Sequence, residues 1–585
     1  MVLPFAIAAS FIAAAVAYFT SPNDQDRAVC ELPTPRSTLP LVKNTLDLVF
    51  IQRARIYDWI LEQCREHRGQ PWRVRVLGRP PAVILSSPEA MEDVLKTQFD
   101  VFIKGPTISD ISHGLLGDGI FVVDGIKWKH QRKTASNFFS MNMIRDAMEN
   151  VVRDHSKLLT STLNEAVENG ETLNIKRVLD LFTMDIFTKI GFGVELHGLE
   201  TGGNSGFMEA FERASSRIMA RFQQPMCMWK LARWLNVGAE RQMAKDVKLI
   251  NDVVYDVIHR NLEEKASRKR SGENSNSYRK DLISLFLEKA SVNYSDDDQT
   301  EITPTMLRDM SMLAEDIKVV NDLVYGVISR SIDEKNRQGV KENSRKDLIT
   351  LFIEKSEVEY TKGVHTKKDL KLMRDFVISF LAAGRETTAT TMSWVILMLN
   401  RYPKVLERVR HEIKDKLPDL VSGNMRSPTL EDTQQLVYLE AVVRETLRLF
   451  PVAAVSGRSA TRDVRLYEGT LIKAGTRIVL PHYCMGRMTT VWGPDVDEFK
   501  PERWIDPISG KIKMVSPFKF SVFFGGPRIC LGMKFALAEV KITLAKLLSQ
   551  FDFKTVKDPF DFTYRASITL QIKGPFDVVV SRLKV

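Results

Sequence analysis

The sequence predicts a mainly α-helical domain with a small β region. Two observations carry that reading. Long stretches place apolar residues three and four apart, as in FALAEVKITLAKLLSQF at 535–551 and VVRETLRLF at 442–450, whereas the strand-like pieces are short. Those pieces are WRVRVLG and AVILSS near 72–87, VRLYEG and KAGTRIVL near 464–480, and ITLQI with FDVVVSRL near the C-terminus. Strands from both ends of the chain therefore share one small sheet region. No internal period runs through the whole chain, which excludes a solenoid.

The bulk properties agree with one large globular unit. The 585 residues are 44% hydrophobic and 27% charged, and the net charge of +10 is spread along the chain. That spread favours acidic surfaces, such as anionic lipid or an acidic protein, over nucleic acid. Five cysteines at 30, 64, 227, 484 and 530 form no CxxC pair, so neither a disulfide framework nor a zinc site is implied, and a reducing compartment fits.

Taken in order, the first element is MVLPFAIAASFIAAAVAYFT, residues 1–20, which carries no charge. A helix of about 20 apolar residues crosses a hydrocarbon core of about 30 Å, and no basic residue precedes the run as in a cleavable signal. It reads as a transmembrane anchor. Arg27, Arg36 and Lys43 follow it and put the main body on the cytosolic side. Residues 21–44 contain ELPTPRSTLPLVKN and read as a proline-containing hinge, with the main domain at 45–585.

Inside that domain the chain repeats itself. DVKLINDVVYDVIHR at 246–260 returns as DIKVVNDLVYGVISR at 316–330, and KDLISLFLEK at 280–289 returns as KDLITLFIEK at 346–355. About 245–314 thus repeats 315–373, and removing it leaves one copy ahead of the helix that follows. The repeat reads as an insertion into a fold that needs one copy. It is either a second helical hairpin or two alternative exons joined, and the second is favoured because an extra helix pair has no evident partner surface.

The chemistry centres on FFGGPRICLG, 523–532. A helix N-terminus directs N–H groups and partial positive charge at a preceding cysteine sulfur, which favours thiolate. Gly526 and Gly532 let the backbone pass close to a flat group, and Arg528 could neutralise an anion on it.

Phe523, Gly526, Arg528, Cys530 and Gly532 resemble the haem-binding signature of the cytochrome P-450 monooxygenases, a resemblance that spans the chain after the anchor. It implies the cytochrome P-450 fold as a single large haem domain, with Cys530 as axial thiolate ligand of haem b iron. It implies that Glu445 and Arg448 (E-x-x-R) form a buried triad with Arg503 of FKPERW. FLAAGRETTATT, 380–391, is similar to the family's central helix, where Ala383 and Gly384 allow close approach to the haem and Glu386 with Thr387 deliver protons; packing and back-bonding remain the alternative for the threonines. Trp128 and Arg132 of WKHQR, Arg458 after Pro451, and Arg528 are the family's propionate partners.

GLLGDGIFVVDGIKWKHQRKTAS, AGRETTA and MGRMTTVWGPDVDEFKPERW narrow the resemblance to the eukaryotic branch that hydroxylates fatty acids and alkanes near the chain end. The implied function is NADPH- and O2-dependent hydroxylation of a long-chain fatty acid or related lipid at or near the ω end. The alternatives are a haem-thiolate isomerase or dehydratase acting on lipid peroxides, and a haem-binding protein made inactive by the inserted duplicate. No G-x-G-x-x-G fingerprint supplies electrons, so NADPH-cytochrome P-450 reductase is the implied partner, at the endoplasmic reticulum membrane. Phe380, Ala383, the VAAV run at 452–455 and the ASI turn at 566–568 are candidate substrate contacts. QPMCMWKLARWLNVG, 224–238, reads as an ordinary packed helix, because Trp229 and Trp234 do not share a helical face.

Overall fold

A computed structural model of the chain describes residues 23–203, 206–270 and 367–583. The anchor expected at 1–20 lies outside them. Among the described residues no helix is long and apolar enough to cross a membrane. Of the repeat, the first copy to Arg270 is described, and the rest as far as residue 366 is outside.

The helical bulk and small sheets match the sequence expectation. Five strands, β1 (Trp72–Val74), β2 (Ala82–Ile84), β3 (Phe102–Ile103), and further along the chain β5 (Ser456–Ala460) and β6 (Arg477–Leu480), form one sheet in the order β1-β2-β6-β5-β3. Its central pairing is parallel, Ala82 opposite Arg477 and Ile84 opposite Val479, and it joins the two ends of the chain. A second sheet sets β8 (Asp577–Arg582) between β4 (Thr172–Asn174) and β7 (Phe551–Thr555). The hinge region is docked and not free from residue 23 onward: Asp26 is buried against Arg75 at 2.8 Å, and Arg73 N donates to Pro33 O.

The core is built around a central helix. Its halves, α6 (Lys367–Leu381) and α7 (Thr387–Arg401), join through a π-helical turn at Ala382–Glu386, and α7 is buried from Thr388 to Leu399. Against it lie α2 (Ile175–Phe192), nearly all buried, α8 (Val437–Leu449) and α9 (Met533–Gln550), with α1 (Gly125–Phe138) beside the Cys530 loop. Gly384 is the contact point with α2, since a Cβ there would overlap the ring of Phe187. A π-turn at that point widens the helix locally.

Two more helices cover the far side, α3 (Phe207–Gln223) and α5 (Gly238–Arg270), with α4 (Met226–Trp234) between them. The first repeat copy holds α5 in place: Asp246 pairs with Arg213 at 2.6 Å, Asn251 Oδ1 accepts from Arg374, and Ile250, Val254, Val257 and Ile258 are buried. On α4, Trp229 is buried under Arg221 and Trp234 is 70% exposed, so the indoles do lie on different faces. The packed-helix reading covers only one of those faces, because Met228, Leu231 and Leu235 are exposed too.

The expected triad forms. Arg448 joins Glu445 through Nε–Oε2 and Nη2–Oε1 contacts of 2.8 Å, both side chains fully buried, and Arg503 Nε approaches Glu445 at 3.5 Å. Trp504 Nε1 and Lys500 N donate to the same carboxylate, and Arg448 donates to the carbonyls of Gly486, Val496 and Glu498.

Candidate functional site

One cavity of ≈ 540 Å³ lies between the central helix, the five-stranded sheet and the Cys530 loop. Its walls bring together Trp128, Arg132, Ala383, Gly384, Glu386, Thr387, Arg458, Phe523, Arg528, Cys530 and Gly532. Gly526 stands apart. Its φ of +65° and the absence of a Cβ let the loop pass against the Leu95 carbonyl, so it seats the loop and does not line the cavity.

Cys530 follows a loop fixed by its own N–H donating to Phe523 O at 2.8 Å. Its side chain is open to the cavity while protein encloses it on other sides. That enclosure pushes the thiol up, and the N–H groups of Gly532 and Met533 at the start of α9 act against it, with Arg132 adding in the same sense. The helix start thus does what the sequence implied, although burial is the larger influence here.

Cations converge beside it. Arg528 donates to Asp124 at 2.7 Å and to Val123 O, and its guanidinium lies 4.4 Å from the Trp128 ring. Arg458 is buried, donates to Gly457 O, and leaves Nη2 without a partner among the described residues. Lys104 reaches the same place from the sheet side, and burial together with Arg458 and Arg528 holds its pKa well below that of an ordinary lysine. Burial and Arg528 bring Arg458 down to about 9. His482, held between Ser521 and Ser456, is kept neutral by burial and by these cations, at about 3. A cluster of buried cations with an orphaned guanidinium nitrogen, facing a cysteine across a cavity, fits a flat group that carries two carboxylates.

Above the cysteine, Glu386 is 2% exposed and pairs with Arg385 at 3.0 Å. Thr569 Oγ1 and Gln571 Nε2 donate to its other oxygen. Arg385 is itself held over the Phe211 ring and near Asp180, whose carboxyl burial raises to about 6. Thr387 Oγ1 donates to Ala383 O at 2.5 Å, so back-bonding occurs, and the residue lines the cavity as well.

The rest of the wall is apolar. Phe380, Val452, Ala453, Val455 and Ile568 line it as expected, whereas Ala454, Ala566 and Ser567 do not. Lys104, Thr569, Gln571 and Arg477 were not visible as site residues. The first and last enter through strand pairing, and the other two through the return of the C-terminal chain.

A family model described as Cytochrome P450 matches residues 33–314 and 300–578. The chain is 30% identical over 551 residues to Cytochrome P450 704B1 of Arabidopsis thaliana, covering 90% of this chain and 91% of that protein. It is 30% identical over 553 residues to Cytochrome P450 704C1 of Pinus taeda (92% and 91%) and 30% identical over 510 residues to Cytochrome P450 CYP94D109 of Paris polyphylla (85% and 85%).

Proposed function

The chain belongs to the cytochrome P450 family of haem-thiolate monooxygenases, and from that premise we propose that it hydroxylates long-chain fatty acids or related lipids at or near the ω end, using O2 and NADPH. The observation that carries the reading is one largely apolar cavity with Cys530, the Glu386–Thr387 pair and the buried cations on its walls.

In this reading the Cys530 thiolate would ligate the haem iron, and Arg132, Arg458, Arg528 and Lys104 with Trp128 would hold the haem's carboxylates. Ala383, Gly384, Phe523 and Gly532 line the cavity and would give a flat group close approach, and Gly526 keeps the loop in register. Bound haem iron supplies the oxygen-activating chemistry, which an electron-donating thiolate favours. The chain's own part is positioning and proton control. Glu386 holds and passes protons at the cavity wall together with Thr387, while Arg385, Thr569 and Gln571 fix its carboxylate. The apolar wall orients an alkyl chain and excludes water.

Residues 1–20 act as the endoplasmic reticulum anchor, the domain faces the cytosol, and NADPH-cytochrome P-450 reductase supplies electrons. Exposed Leu41, Phe50 and Ile51, near lining residue Leu48, support a lipid-facing surface through which substrate enters, as do Met228, Leu231 and Trp234 beyond lining residue Phe222. Expression with the reductase tests the reading: hydroxylated fatty acid should require NADPH. Turnover of lipid peroxide without NADPH would instead support the isomerase or dehydratase class, and carbon monoxide binding with no turnover would support an inactive haem protein.

A further inference from the structure

Cations line the cavity in two separate places. Around Asp124, burial with Arg458 and Arg528 lowers Lys104, and burial with Arg528 lowers Arg458; these three belong with the cofactor. Arg477 is different. It opens β6, opposite Ala82 of β2 and Ser459 of β5, and all three line the cavity. Among the described residues its guanidinium makes no hydrogen bond and no ion pair, and burial alone accounts for its lowered basicity. Arg477 is half-buried and faces the cavity, where a cation without a partner favours an anion that the described residues do not supply.

A second guanidinium stands behind it. Arg79 is 6% exposed and donates to the carbonyls of Arg221 and Phe222, and its Nε has no partner among the described residues. Burial and Arg477 both lower the basicity of Arg79, so the two charges reinforce one field. Asp110, the carboxylate that acts on Arg79, is itself paired with Lys230 at 2.7 Å. The cavity that Arg477 shares with the Cys530 loop is also lined by Ile84, Ile108, Val479, Phe380 and Val452.

We propose that Arg477, backed by Arg79, binds the carboxylate of the substrate and so sets which end of the alkyl chain meets the reacting centre. The proposal rests on the lipid-hydroxylase reading and adds its substrate-orienting residue. A carboxylate held at the sheet end leaves the far end of the chain to face the Ala383, Gly384 and Thr387 wall, which gives ω-selectivity a physical cause.

The test uses the full haem-loaded chain and equilibrium titration of its Soret band with hexadecanoic acid and with its methyl ester. A charged hydrogen-bonded pair removed from an enclosed site weakens binding by about tenfold or more. Arg477→Leu should therefore raise Kd for the acid by about tenfold, with the ester within about twofold, and Arg477→Lys should recover part of the acid preference. Turnover by Arg477→Leu should spread hydroxylation away from the chain end. Equal binding of acid and ester by the unmodified protein, or an acid preference that survives Arg477→Leu, would overturn the proposal and leave the lipid reading standing. Loss of haem from both variants would also overturn it, by assigning Arg477 to the propionate set. Binding of neither ligand would overturn both.

Discussion

Glu445→Gln probes the scaffold beneath the Cys530 loop. Glu445 and Arg448 are 0% exposed, and the carboxylate accepts from Arg448, Trp504 Nε1 and Lys500 N at 2.8–2.9 Å. Trp504 packs edge to face on Phe520, and Phe520 edge to face on Phe523, whose carbonyl holds Cys530 N, so the triad supports the loop through these rings. An amide puts a donor where a carboxylate oxygen now accepts. Breaking a buried pair from one side costs about 3–5 kcal/mol. Unfolding entropy of about 2.1 cal/mol/K per residue gives roughly 1 kcal/mol/K for a domain of about 500 residues, so a loss of about 4 kcal/mol lowers Tm by about 4 °C. Arg448→Met should cost more, because the Gly486, Val496 and Glu498 carbonyls also lose their donor. The assay is thermal loss of the shifted Soret band of the ferrous carbon monoxide complex. A Glu445→Gln protein within about 1 °C of the unmodified one, or an Arg448→Met protein more stable than Glu445→Gln, would refute the reasoning.

Gln571→Leu removes a donor from Glu386 and should lower hydroxylated product per NADPH consumed by about threefold or more, with NADPH consumption largely kept; unchanged coupling would contradict the positioning of Glu386. Burial pushes the Glu539 carboxyl up to about 8, beside Thr388 and with Oε1 unpartnered. The fold therefore binds that proton more tightly than the unfolded chain does, and the stability this gives is present below an ordinary carboxyl pKa of about 4.3 and is lost as pH rises towards 8. Melting curves of Glu539→Gln should gain on the unmodified protein from pH 5 to 8, and a constant difference would contradict the burial argument. A chain lacking residues 245–314 should fold and retain haem, because Asp316, Asn321, Val324, Val327 and Ile328 repeat the residues that seat α5, Asp246, Asn251, Val254, Val257 and Ile258. Failure to bind haem would show that the first copy is required.

Local motifs were legible where chemistry depends on sequence spacing. The Cys530 loop, the Glu386–Thr387 stretch and the Glu445–Arg448 pair all lie within single turns or loops, so residue order alone brings their members together. Gly384 and Gly526 were legible as close-approach positions, but their neighbours were not: Phe187 and Leu95 come from distant parts of the chain. Lys104 and Arg477 sit in short strand regions whose side-chain direction depends on pairing partners hundreds of residues away. KAGTRIVL held the one available signal, an arginine opening a strand whose burial alternates, with Ile478 and Leu480 buried and Arg477 and Val479 half-buried. Thr569 and Gln571 meet Glu386 only because the C-terminal chain returns over the central helix.

The most direct measurement is turnover of hexadecanoic acid by the haem-loaded chain with reductase and NADPH under isotopically labelled dioxygen. The account predicts a product hydroxylated at or next to the terminal carbon, with one labelled oxygen atom and no product from Cys530→Ser. Product formed without NADPH, label drawn from water, or full activity in Cys530→Ser would contradict it.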